Sequence, residues 1–261
     1  MKTMTRLGSL FSGVLFLVAG NSRFLSSAGV KLSQMGVDNL LIGLLNASFF
    51  TGAALSAVLA HRIISRIGHI RSFGVFGAVF AIGALAHGMT ESLWLWGLLR
   101  LLLGFCYYSL LMVAESWLSE RSEHHNRSRI LSYYNIVYYA AFSLGILLLG
   151  LGLNADRIFT LSAMLVMAAM VPIGMTRLPE PSLPPRQRIS IPRVFDIVPL
   201  ALVSSLLAGV MVNGFFTMAS VFILQQGLAV KQVSSFLFAA MIGGFLIQWQ
   251  MTRISDSTGR R

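Results

Sequence analysis

Eight apolar runs fill most of this chain, near 7–29, 38–60, 72–90, 92–118, 129–152, 157–176, 196–219 and 231–252. A helix needs about 20 mostly apolar residues to cross the hydrocarbon core of a bilayer. The runs are continuous rather than alternating, so they fit spanning helices and not barrel strands. A soluble fold would need a polar shell, and soluble domains carry about a quarter charged residues. Here 56% of residues are hydrophobic and 11% are charged. The expected fold is an all-α integral membrane bundle with the lipid bilayer as its solvent.

The net charge of +11 suggests nucleic acid until its placement is read. The basic residues lie in short connectors, not along a stripe with stacking aromatics, so nucleic acid is excluded as a partner. Fifteen Lys and Arg residues fall on the side that holds the N-terminus and the even-to-odd connectors. The other side receives Arg23, Lys31, Arg157 and Lys231, and Arg100 is left inside the fourth run. This asymmetry predicts a cytoplasmic N-terminus in the inner membrane of a bacterial cell. Cys106 stands alone and forms no intrachain disulfide. Lys2 and Arg6 ahead of Leu7–Ala19 resemble a signal peptide, but the apolar run resumes after Asn21. A retained first helix is the better reading.

The chain also repeats itself. Gln34, Gly36, Gly52 and Gly68 recur 191 positions later as Gln225, Gly227, Gly243 and Gly259. Both copies end in a short polar turn, Ser65–Arg71 and Asp256–Arg261. Between them Arg177–Arg193 carries five prolines, which favour an extended linker. The predicted organisation is a six-helix half over 1–176, a basic linker over 177–195, and the start of a second half over 196–261. Two copies of the unit predict a chain of about 380 residues. The chain is therefore expected to be C-terminally incomplete, and alternating access is not expected of it alone.

These features resemble the major facilitator superfamily, whose members have two six-helix halves. Arg66 and Gly68 match its Asp-Arg-x-Gly-Arg-Arg turn, while Ser65, His69 and Ile70 depart from it. In the second copy Asp256, Gly259, Arg260 and Arg261 match, and Ser257 replaces the first arginine. Arg100-Leu101-Leu102-Leu103-Gly104 is similar to the superfamily's intramembrane arginine motif. Arg62–Arg71, Trp94-Leu95-Trp96, Leu98–Leu102 and Glu115-Ser116-Trp117-Leu118 resemble the YcaD-type branch of bacterial transporters. The resemblance implies secondary transport of a small solute, often coupled to protons, with binding near the midplane. It supplies no substrate.

Arg100 is the sharpest single residue, because a charge in a bilayer must face the bundle interior or a wet cavity. It reads either as a substrate-binding or proton-coupling arginine, or as a structural one bonded to buried polar groups. Arg100, Gly104, Tyr107, Leu111 and Glu115 fall on one helical face. Arg100 and Glu115 are separated by about 22 Å along the axis and cannot pair. Glu115 has three readings: a clasp to Arg66 or Arg71 that holds the outward-open state, a proton-coupling carboxylate, or an interfacial glutamate in contact with water.

Tyr134 and Tyr138 are four apart and can line a cavity, whereas Tyr133 and Tyr139 read equally well as headgroup anchors. Asn21 and Asn213 are lone amides in apolar runs that contact either substrate or a neighbouring helix. Trp94 and Trp96 read as outer-interface anchors. The substrate-binding candidates are thus Arg100, Tyr107, Tyr134, Tyr138, Asn21 and Asn213. The cytoplasmic-gate candidates are Arg66, Gly68, Arg71, Glu115, Asp256, Gly259 and Arg260.

His124 and His125 lack the partners of a metal site, and no phosphate-cradling or hydrolase motif occurs. The expected function is secondary active transport of an unknown small solute, with protons as a coupling candidate, no cofactor and no metal. The competing class is a non-transporting eight-helix membrane protein: a remnant, a scaffold or a partner-binding subunit. Arg100 leans weakly toward an anionic solute.

Overall fold

The computed structural model describes residues 7–120, 122, 127–151, 155–176, 181 and 199–258. The described residues form eight helices and no strand. They are α1 (Gly8–Gln34), α2 (Asn39–Ile67), α3 (His69–Met89), α4 (Leu93–Glu120), α5 (Arg127–Leu149), α6 (Ala155–Gly174), α7 (Pro199–Gln225) and α8 (Val230–Thr258). Seven of the eight contain a segment long and apolar enough to cross a membrane. In α6 the apolar described segment is shorter, Phe159–Gly174. Helices suit this environment because each satisfies its backbone polar groups internally.

The helices outrun several of the apolar stretches. α1 continues to Gln34, α2 to Ile67 and α7 to Gln225. The polar residues there end the apolar pattern without breaking the backbone ladder, which can continue once hydrated. The polar turn expected over 65–71 is correspondingly reduced to one residue. Gly68, at φ 87°, is the C-cap of α2 and the N-cap of α3. Its N–H donates to Ile64 O at 2.9 Å, and its carbonyl accepts from Ser72 N–H at 3.1 Å. Only glycine takes that conformation without cost.

The 191-residue repeat reappears in the turn geometry. Gly36 and Gly227 both have positive φ, 70° and 76°. Met35 N–H donates to Lys31 O at 3.0 Å, and Gln226 N–H donates to Phe222 O at 3.2 Å. Gly36 N–H donates to Ser33 O at 3.1 Å, and Gly227 N–H donates to Leu224 O at 3.0 Å. Both of these bonds have their counterpart 191 positions on. The end of the bundle holding these turns is called the Gly36 end below, and the opposite end the Gly68 end.

α1 is the central helix, buried without a break from Leu17 to Val30. It packs on α5 and α6 and meets α7. Val18, Ala19 and Gly20 are all buried in the bundle. α2 packs on α4, and α3 on α4 and α6. At the α2–α4 crossing, a Cβ on Gly52 would collide with Leu101 O, and one on Gly104 would collide with Phe49 O. These two glycines let the backbones touch. α8 packs on α5 and α7.

Candidate functional site

The polar residues of the bundle form two groups at different depths. The first surrounds Arg100 on α4, which is 0% exposed. Its Nη1 donates to Asn46 Oδ1 on α2, and Asn46 Nδ2 donates in turn to Ile42 O at 2.9 Å. The guanidinium carbon lies 5.8 Å from the ring centroid of Phe24 on α1. Its Nε and Nη2 have no partner. His87 on α3 is buried nearby; its Nδ1 donates to Gly83 O at 2.8 Å, and its Nε2 has no partner. Its ring meets Phe24, Trp96 and Phe159 edge-on or tilted.

Trp96, expected at the membrane interface, is in this core. It is fully buried and its indole N–H donates to Thr90 O at 2.9 Å. The shared Trp-Leu-Trp pattern concealed a division of labour, since Trp94 is 88% exposed. Two residues on a helix point about 200° apart, so one of the pair turns inward. Arg23 needs a similar correction. It does not belong to a solvated connector: it sits inside α1, 1% exposed, with Nε and Nη1 unpartnered. It lies eleven residues from Gln34, about 16 Å along the axis. The flanking connector was expected to begin where α1 still continues. Removing Arg23 from the sparsely charged side makes the charge asymmetry steeper.

The second group joins α4 to α5 nearer the Gly68 end. Tyr134 Oη donates to Glu115 Oε1 at 2.6 Å. The Tyr134 and Tyr138 rings lie 6.3 Å apart. Tyr107, 1% exposed, has its hydroxyl directed at that of Tyr138. Glu115 itself is exposed. Three of the six binding candidates, Tyr107, Tyr134 and Tyr138, therefore stand together with one gate candidate, Glu115.

The remaining candidates are dispersed. Asn21 is buried in α1 with its Oδ1 unpartnered. Asn213 lies in α7 and Asp256 in α8, with side chains outside the described set; Gly259 and Arg260 lie outside the described residues, as do His124 and His125. Arg66 and Arg71 are exposed on either side of Gly68, and neither pairs with Glu115. Asn46 and His87 were missed by sequence reading. Asn46 is one short polar residue in a long apolar run, and its distance from Arg100, 54 positions, hides the pairing.

α7 and α8 touch the first six helices toward the Gly36 end. Gln225 Nε2 donates to Asn39 Oδ1 at 3.0 Å, and Ser234 Oγ donates to Ile146 O at 2.7 Å. Gly29 lies against Thr217 O and Ser220. Deeper contacts are aromatic: Phe142 with Phe216 at 5.3 Å and Tyr139 with Phe245 at 5.2 Å.

Comparison with known proteins decides the family. The sequence profile of the Major Facilitator Superfamily matches residues 10–261. The chain belongs to that superfamily. As a superfamily member it is a multi-pass membrane protein of a transporter family. It is 26% identical to the uncharacterized MFS-type transporter YcaD of Salmonella newport (strain SL254), over 100% of this chain and 69% of that protein. The Salmonella arizonae protein of the same name is 25% identical over the same shares. Among solved structures, the nucleoside transporter NupG superposes with a TM-score of 0.72 at 14% identity, over 96% of this chain and 68% of that one. A bacterial homolog of the human lysosomal transporter Spinster, inward-facing and unoccupied, gives 0.69 at 16% identity, over 96% and 64%. The D-xylose–proton symporter gives 0.64 at 14% identity, over 91% and 65%. At these identities the structural likenesses establish the superfamily fold and nothing finer.

Proposed function

We propose that this superfamily member is a secondary active transporter of a small solute, coupled to protons, in the inner membrane of a bacterial cell with its N-terminus in the cytoplasm. In a transporter with both halves, the six-helix unit over 1–176 and the half that opens with 196–261, joined by the linker at 177–195, rock about the solute. The solute passes the face of α4 that carries Tyr107 and Glu115, together with Tyr134 and Tyr138 of α5. Asn21 and Asn213 contact it from α1 and α7. Arg100 sets the shape of that face from behind through Asn46.

One observation supports this reading: among the described side chains, α7 and α8 touch the first six helices at the Gly36 end and at mid-bundle, while Glu115 is exposed toward the other end. With the Gly68 end cytoplasmic, that is an inward-open arrangement. Glu115 then changes partner between states. It takes the Tyr134 hydroxyl here and an arginine of the Gly68 turn, Arg66 or Arg71, when the cytoplasmic side closes. Asp256, Gly259 and Arg260 are the gate residues that the sequence repeat supplies to the second unit. An exchange of partners of this kind biases a two-state rocking equilibrium.

The test is proton movement in proteoliposomes loaded with a pH-sensitive dye and holding this chain within a protein of both halves. A panel of cations, anions, sugars and nucleosides is added in turn. The reading expects at least one solute to trigger saturable proton flux that Glu115→Gln abolishes. No solute-dependent flux and no gradient-driven accumulation across the panel would overturn it.

A further inference from the structure

Glu115 differs from the other acidic side chains of the described helices and turns. Among acidic residues whose side chains are described, Asp38 and Glu91 sit between helices and Glu120 is the last residue of α4, whereas Glu115 lies within the α4 span and is open. One carboxylate oxygen takes the Tyr134 hydroxyl, which leaves the other free for a ligand. Around it are aromatic faces. Tyr138 stacks on Phe142 at 6.2 Å, and Phe142 meets Phe216 of α7 at 5.3 Å. Phe216 also lines an open cavity of about 350 Å³ between α5, α7 and α8, with Tyr139, Met211, Phe215 and Met241; Glu115 is not among its lining residues. That volume is within the range of small-molecule sites, about 300–1,000 Å³. Methionines adapt their shape to varied apolar ligands.

We propose that Glu115 and the tyrosines beside it bind a hydrophobic organic cation. The inference rests on the transport reading and supplies its solute class. A carboxylate beside tyrosine faces attracts a cation twice, through its charge and through the ring quadrupoles. An anion at the same place would face the carboxylate. The buried arginines do not offset this. Arg100 is closed off behind Phe24 and Asn46, and Arg23 is buried within α1. Arg127, the first residue of α5, donates to Ser119 Oγ at 3.0 Å, one turn beyond Glu115 on α4. The weak lean toward an anionic solute that Arg100 gave in the sequence is therefore replaced.

The test uses two ions of the same shape and opposite charge, tetraphenylphosphonium and tetraphenylborate. Equilibrium dialysis of the purified full chain in detergent measures each, with micelles alone subtracted. The expected result is saturable phosphonium binding that is tighter than borate binding by about tenfold or more, the size of one partly hydrated charge contact. Glu115→Gln is expected to remove that preference, and Tyr138→Ala to weaken phosphonium while Tyr138→Phe retains it. Borate binding as tight as phosphonium in the unaltered chain overturns the proposal without any variant. So does a Glu115→Gln chain that keeps phosphonium affinity within about twofold. Proteoliposomes separate the two readings. Phosphonium that binds but is never moved by a gradient overturns transport and leaves the site standing. Another solute that is moved, with phosphonium unbound, overturns the cation site and leaves transport standing.

Discussion

The Tyr134 hydroxyl on α5 donates to Glu115 on α4 at 2.6 Å, tying together two helices that make few other contacts. Tyr134→Phe removes the donor and keeps the ring. A hydrogen bond to a charged group contributes about 1.5–3 kcal/mol, but Glu115 is open to water, so the expected loss is nearer 1 kcal/mol. Thermal unfolding in detergent should show a drop of a few degrees. Glu115→Gln, whose amide oxygen still accepts, should lose less.

Arg100 and Asn46 form a pair whose members should fail together. Asn46→Leu strands a fully buried guanidinium, and breaking a buried charged contact costs about 3–5 kcal/mol. Arg100→Leu leaves Asn46 with its own bond to Ile42 O and should cost less. The combination Asn46→Leu with Arg100→Leu should recover much of the loss. A double-mutant cycle of denaturation midpoints checks this, and simple additivity would contradict the pairing.

The glycines of the repeat are predicted to part company. Gly52→Ala and Gly104→Ala drive a methyl group into the backbone of the facing helix and should destabilise the chain by more than 2 kcal/mol, on the order of a serious overpacking event. A Cβ on Gly243, the counterpart of Gly52, meets no atom within 4 Å. Gly243→Ala should therefore be neutral or stabilising by about 0.5–1 kcal/mol, the helix propensity difference. Melting temperatures of the three variants decide it.

Asn39 and Gln225 bridge α2 and α7 at the Gly36 end. Paired cysteines there should be joined readily by a short bifunctional thiol reagent. The joined protein should lose solute-dependent flux and regain it on reduction. Flux that survives full cross-linking would remove this contact from the moving gate.

Much of the architecture was legible because membrane helices announce themselves by length and apolarity. The eight runs, the Gly68 turn and the paired turns at Gly36 and Gly227 all follow from local pattern. The α4 face was also readable, since Tyr107 and Glu115 share helical spacing and Tyr134 and Tyr138 share theirs. What pattern did not carry was long-range pairing. Nothing local distinguishes Asn46 as the partner of Arg100, or His87 as its neighbour. Arg23 and Trp96 were misplaced for a related reason: a charge or indole near the end of an apolar run is ambiguous until the neighbouring helices are known.

The central claim is that the solute path opens at the Gly68 end, beside Glu115, and that this end is cytoplasmic. Thiol labelling tests it most directly. Cys106 is replaced by serine, and single cysteines are placed at Glu115 and at Asn39. A membrane-impermeant maleimide is then applied to right-side-out and to inverted vesicles. The account predicts that the cysteine at 115 labels in inverted vesicles and the one at 39 labels in right-side-out vesicles. Labelling of position 115 from the outer face alone would contradict it.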